Sequence, residues 1–85
     1  MDITPEVRKG LDIPARITGV VVADIEQGSP AEGVLAKNDV ILEINKKRIR
    51  NLKEYEAVSG TVKSGQSMLV LIYRNGFTTY LTLSP

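Results

Sequence analysis

The sequence predicts an α+β domain: a small, partly open β-barrel or sandwich of about five strands with two or three short helices. Apolar, β-branched runs at 19–25, 40–44 and 67–74 alternate with short segments that begin and end on helix-capping residues. The last apolar run is followed by Asn75-Gly76 and a second strand-like stretch, the pattern of a type I′ hairpin. The 85 residues contain no internal repeat and no low-complexity linker, so residues 1–85 read as one domain.

Each element has a local reason. Thr4-Pro5-Glu6 reads as N-cap, first helical residue and acidic first turn, and Gly10 supplies the stop. Pro14 then bars helix continuation. The stretch 19–25 is apolar on both faces until Asp24, as expected of a sandwiched or central strand. Gly28 can take a positive φ, Ser29 can cap a helix and Pro30 suits its first turn, so a second short helix is expected from Ser29. Asn38 tolerates the left-handed conformation ahead of a strand at 40–44. Strict alternation there puts Val40, Leu42 and Ile44 on one face, with Ile41 and Glu43 on the other. Asn45-Lys46-Lys47 is a tight turn leading to a strand stub at Arg48 and Ile49. Asn51 caps a helix from Leu52 to Ser59 or Thr61, with Leu52, Tyr55 and Val58 on one stripe and Gly60 near its end. In the final strand, 77–83, Phe77, Leu81 and Leu83 share one parity, and Thr78, Tyr80 and Thr82 the other.

Composition excludes several function classes. With no cysteine and no histidine, disulfides, thiolate metal sites and imidazole chemistry are absent. Eleven basic and ten acidic residues leave a net charge of +1, too balanced for adhesion to nucleic acid or membrane by charge alone. The basic run Lys46-Lys47-Arg48 is interleaved with Glu43, Glu54 and Glu56 and reads as a solvated turn and helix face. The longest apolar run, 68–73, is too short to cross a bilayer, and the N-terminus lacks the basic-then-apolar pattern of an export signal.

No constellation supports catalysis. Gly28-Ser29-Pro30 lacks the nucleophile-elbow pattern, and without histidine a Ser-His-Asp arrangement is impossible within the chain. Asp39, after a turn and before a buried strand, reads as a turn-stabilising carboxylate. Glu54 and Glu56 diverge on their helix, and Asp2, Asp12 and Asp24 lack cation-loop spacing. The sequence therefore predicts no catalytic residues, no metal site and no cofactor.

Five motifs in order resemble the PDZ domains of HtrA/Do (DegP-like) serine proteases, the second PDZ domain in particular. They are Asp2-Ile3-Thr4-Pro5-Glu6-Val7 with Gly10-Leu11, Gly19-Val20-Val21-Val22, Gly28-Ser29-Pro30-Ala31, Asp39-Val40-Ile41 through Asn45, and the Asn51 cap with the closing hairpin. The resemblance implies a non-catalytic module that binds protein C-termini or unfolded segments by β-strand addition, for substrate presentation or protease regulation. By place in the pattern, Leu52, Glu56 and Ser59 form the helical wall of the groove, with Tyr55 and Val58 in the core. It also implies a periplasmic or cell-envelope parent, and a domain excised without its first, carboxylate-binding strand. An alternative is an assembly module with an incomplete groove that packs on neighbouring domains of the parent. A PDZ domain of another exported or intramembrane protease, or of a secretion component, is a further alternative. Two departures from the pattern bear on backbone geometry: Asn38 replaces the usual Gly before Asp39, and Lys46 replaces the Gly common after the turn Asn, where a positive φ would strain it.

Overall fold

In the computed structural model, which describes residues 1–62 and 65–84, the first helix forms as its capping residues predict. α1 spans Pro5–Gly10, and the Thr4 hydroxyl accepts a hydrogen bond from the Val7 amide at 3.1 Å. The elements that follow are β1 (Val20–Val21), β2 (Val40–Ile44), β3 (Lys47–Arg48), α2 (Leu52–Ser59), β4 (Met68–Arg74) and β5 (Phe77–Leu83). Lys63, Ser64 and the last residue of the expected domain, Pro85, lie outside the described residues.

The strands form one open antiparallel sheet in the order β1-β2-β4-β5, with β3 paired to β2. β4 and β5 pair from Met68↔Leu83 to Arg74↔Phe77 around Asn75 and Gly76, whose φ values of 50° and 88° suit the expected primed turn. Asn45 and Lys46 make the corresponding turn between β2 and β3 with φ of 50° and 67°. The strand stub therefore falls on Lys47–Arg48, one residue before the expected position, because two left-handed residues already reverse the chain.

Both faces are covered over β1 and β2, whereas β5 is largely exposed. On one, Val21 and Val40 pack with Ile13 and Ile17 beneath α1, and Arg8 donates to the Pro14 and Ile17 carbonyls to hold this loop in place. On the other, Ile44, Ile49, Val70 and Ile72 are fully buried, with Tyr55 and Val58 of α2 packed against their cluster. Strict alternation fails in β2. The register shifts between Ile41 and Glu43, leaving Leu42 as an extra residue whose carbonyl accepts from the Ile49 amide at 2.9 Å. Ile41 and Ile44 consequently join one cluster, while Val40 and Leu42 serve the other.

The helix expected from Ser29 does not form. Residues 28–36 make successive turns, with Glu32 and Leu35 amides donating to the Ser29 and Ala31 carbonyls. Gly33, at φ of 80°, is incompatible with a continuing right-handed helix. Ser29 is not a cap: its Oγ is buried without a hydrogen-bond partner among the described residues.

Candidate functional site

The run expected as a strand at 19–25 is ladder-paired over only Val20 and Val21. Gly19 is required at its start, since a Cβ there would lie 2.1 Å from the Ile41 carbonyl oxygen. Along the run, main-chain groups alternate in direction. Those of Val22 turn inward, its amide donating to Asp39 O and its carbonyl accepting from the Asn38 amide, both at 2.8 Å. Those of Val21 turn outward and exchange both hydrogen bonds with Met1 at 2.8 Å, while Asp2 bridges antiparallel to Val20. Continued alternation would turn the main-chain groups of Ala23 outward next. Among the described residues no main-chain-to-main-chain hydrogen bond reaches Ala23 or Asp24, although the Asp24 carboxylate accepts from the Ile25 amide at 2.9 Å, so the main chain is unpaired along this edge.

This edge faces α2 across a groove of about 410 Å³. Its floor and walls include Val20, Val22, Ile25, Leu35, Leu52 and Tyr55. Asp24 and Glu26 sit on its rim. A second cavity of about 440 Å³ lies alongside and shares Ser29, Ala31 and Tyr55 with the first; Ser59, Met68 and Leu83 are among the rest of its lining.

The three helix residues expected at the groove fall in three different places. Leu52 lines the groove beside β1 and is 37% exposed. Glu56 is exposed and lines neither cavity, and Ser59 lines the second cavity. Tyr55 and Val58 pack on the core as their stripe predicts, yet Tyr55 also forms a wall of both cavities. One apolar face of a short helix serves core and groove together.

α2 is capped from two directions. Asn51 Oδ1 accepts from the Glu54 amide at 2.9 Å, and Glu54 reaches back to the Arg50 amide at 2.8 Å. The Leu52 amide donates to the carboxylate of Asp2, which lies on the short stretch paired to β1. Sequence reading gave Asp2 no such role: its partner is 50 residues away, and no local pattern signals the contact.

Elsewhere Asp39 does more than close its turn. Its carboxylate, 2% exposed, accepts from the Ala36 amide at 2.8 Å and from Arg74 Nε and Nη2 at 2.8 and 2.6 Å. Hydrogen bonding to Asp39, aided by its charge and opposed by burial, raises the Arg74 pKa above the usual guanidinium value. The pair braces the 34–39 turn against the β4–β5 hairpin and lies outside the groove. No group of three or more metal-ligating side chains occurs among the described residues.

An open strand edge confronting a helix across an apolar groove is the arrangement of a strand-accepting binding module. The chain belongs to the PDZ family: the PDZ-domain profile matches residues 1–84, and the family is one of non-catalytic binding modules. It is 30% identical over 83 residues to a probable periplasmic serine endoprotease DegP-like of Chlamydia trachomatis, covering 96% of this chain and 16% of that protein. A protein of the same name from Rickettsia prowazekii is 32% identical over 85 residues, again with 16% of its length covered. The chain thus spans only a small part of these relatives. Among solved structures, the HtrA-type protease AlgW with a decapeptide is similar at a TM-score of 0.85 and 29% identity, over 99% of this chain and 26% of that one. The HtrA3 PDZ domain bound to a phage-derived ligand shares the fold at a TM-score of 0.77 and 21% identity, over 99% of this chain and 76% of that one.

Proposed function

We propose that this domain binds extended polypeptide, protein C-termini or unfolded segments, by strand addition. We further propose that it does so within an HtrA/Do-type serine protease of the periplasm or cell envelope. The observation that carries the reading is the main chain at Ala23, without a main-chain partner among the described residues, across the groove from Leu52 and Tyr55 of α2. Its edge supplies generic main-chain affinity, and the apolar groove selects side chains that point inward. Leu52 is the proposed apolar contact on the helical wall, with Glu56 and Ser59 further along it. The solved relative AlgW is described with a decapeptide, which accords with this ligand class.

Where residues preceding Met1 extend the Met1–Val21 pairing along 22–25, the peptide would take its main-chain hydrogen bonds from the outer edge of that added strand instead of from Ala23 itself. The domain would then present substrates to the protease or regulate it. The open edge also suits an assembly role, in which a neighbouring domain supplies the covering strand.

Titration of decapeptides, each with a free and an amidated C-terminus, tests the reading by amide chemical shifts. Saturable shifts centred on Leu52, Tyr55 and residues 22–25 are expected, either in this chain or in a version extended at its N-terminus. If both versions are silent while the extended one self-associates in sedimentation, the assembly role replaces peptide binding.

A further inference from the structure

The groove has two walls of unequal firmness. β1 is anchored through β2, with Val20 and Val21 almost fully buried. α2 has no fully buried residue along its 8 positions. The hydrogen bonds of Asn51 and Glu54 are local to its first turn and tie it to nothing beyond Arg50. The hydrogen bond from the Leu52 amide to Asp2 is different. Asp2 is held on β1 by its bridge to Val20 and by the doubly bonded Met1–Val21 pair beside it. The contact therefore runs from the strand wall to the helix wall at the residue, Leu52, that lines the groove.

We propose that Asp2 is a positioning residue for the groove, its carboxylate holding the head of α2 at a fixed distance from the strand edge. The proposal deepens the peptide-binding reading and rests on it for its consequence, though not for its geometry. A free helix amide must find some partner, and a carboxylate at a helix N-terminus is favoured by hydrogen bonding and by the helix dipole. Removing that acceptor leaves water to satisfy Leu52 and frees the first turn to move outward. The same contact makes α2 responsive to the chain that enters the domain. Displacing Met1 and Asp2 from β1 withdraws the acceptor from Leu52.

The test uses Asp2→Ala and Asp2→Asn, the second retaining a carbonyl acceptor. Because the chain has no cysteine, Glu26→Cys and Lys53→Cys place spin labels on the groove rim and on α2 without side reactions. With Asp2→Ala the label distance should lengthen or broaden by about 2 Å, the scale of small helix shifts. Leu52 amide exchange should accelerate by about fivefold, the loss of one capping bond. The Tyr55 amide, bonded to the Asn51 carbonyl, should keep its protection, showing that the helix persists. Affinity for the tightest decapeptide should fall by about fivefold, and Asp2→Asn should restore distance, exchange and affinity. Unchanged distance and unchanged Leu52 exchange in Asp2→Ala overturn the proposal. So does an Asn variant that widens the groove as far as Ala while still protecting Leu52. If neither this chain nor its N-terminally extended version binds peptide, the peptide-binding reading fails, and label distance and amide exchange still decide the role of Asp2.

Discussion

Lys46 sits at φ of 67°, a conformation in which its Cβ crowds the backbone at a cost of about 1 kcal/mol. The turn demands that angle, since Ile44 and Lys47 pair directly across it. Lys46→Gly should therefore stabilise the domain by about 0.5–1 kcal/mol, part of the strain relief being offset by the added freedom of the unfolded chain. Thermal unfolding followed by circular dichroism would show a rise of about 3–6 °C. No rise would mean that the turn relaxes around lysine at no cost. Residues of this kind were legible in the sequence because their chemistry is local. Thr4 and Asn51 cap their helices, and Asn38 and Asn75 take positive φ, as their residue types predict. Ser29 shows the limit. Its Gly-Ser-Pro context favours a cap, but Gly33 breaks the chain out of helical geometry four residues on and leaves the hydroxyl without a helix to cap.

Strands were legible in existence and order but not in extent, because extent depends on what pairs with them. The apolar run at 19–25 has full strand character, yet only Val20 and Val21 belong to the ladder. β2 carries a bulge at Leu42 that periodicity cannot reveal, since the inserted residue is as apolar as its neighbours. Arg74 gave no sequence signal of its partner 35 positions away, although Asp39 was legible as a turn carboxylate. That pair makes an asymmetric prediction. Arg74→Met strands a carboxylate that is 2% exposed and should cost about 3 kcal/mol. Asp39→Asn leaves a guanidinium that is already 37% exposed and can turn to water, so its cost should be nearer 1–2 kcal/mol. Urea unfolding of both variants and the double variant would give the coupling directly; equal single costs would refute the asymmetry. The raised Arg74 pKa carries little pH dependence. A base whose folded pKa is raised contributes stability at every pH below its unfolded value, and loses it only under strongly alkaline conditions.

At the scale of the molecule, firmness is distributed unevenly across the groove. Ile44, Val70 and Ile72 lie at the centre of the β2–β4 pairing and are fully buried. β5 closes the far side of that pairing along its full length. α2 instead rests on the sheet through the partly buried Tyr55 and Val58, and the segment 23–36 is held by turns rather than by a ladder. Opening α2 exposes less apolar surface than opening β2 and β4, so it should occur without global unfolding. Native-state hydrogen exchange across a urea series should therefore resolve two levels. The Val70 and Ile72 amides should exchange only with the global transition, while those of α2 should exchange through an opening about 2 kcal/mol or more below it. A saturating peptide in the groove should raise the α2 level and leave the sheet amides tied to the global transition, because it binds the closed arrangement of edge and helix. If α2 and the central strands exchange at one common free energy, the groove is as rigid as the core. Its width would then be fixed by the fold at large rather than by contacts at the head of the helix.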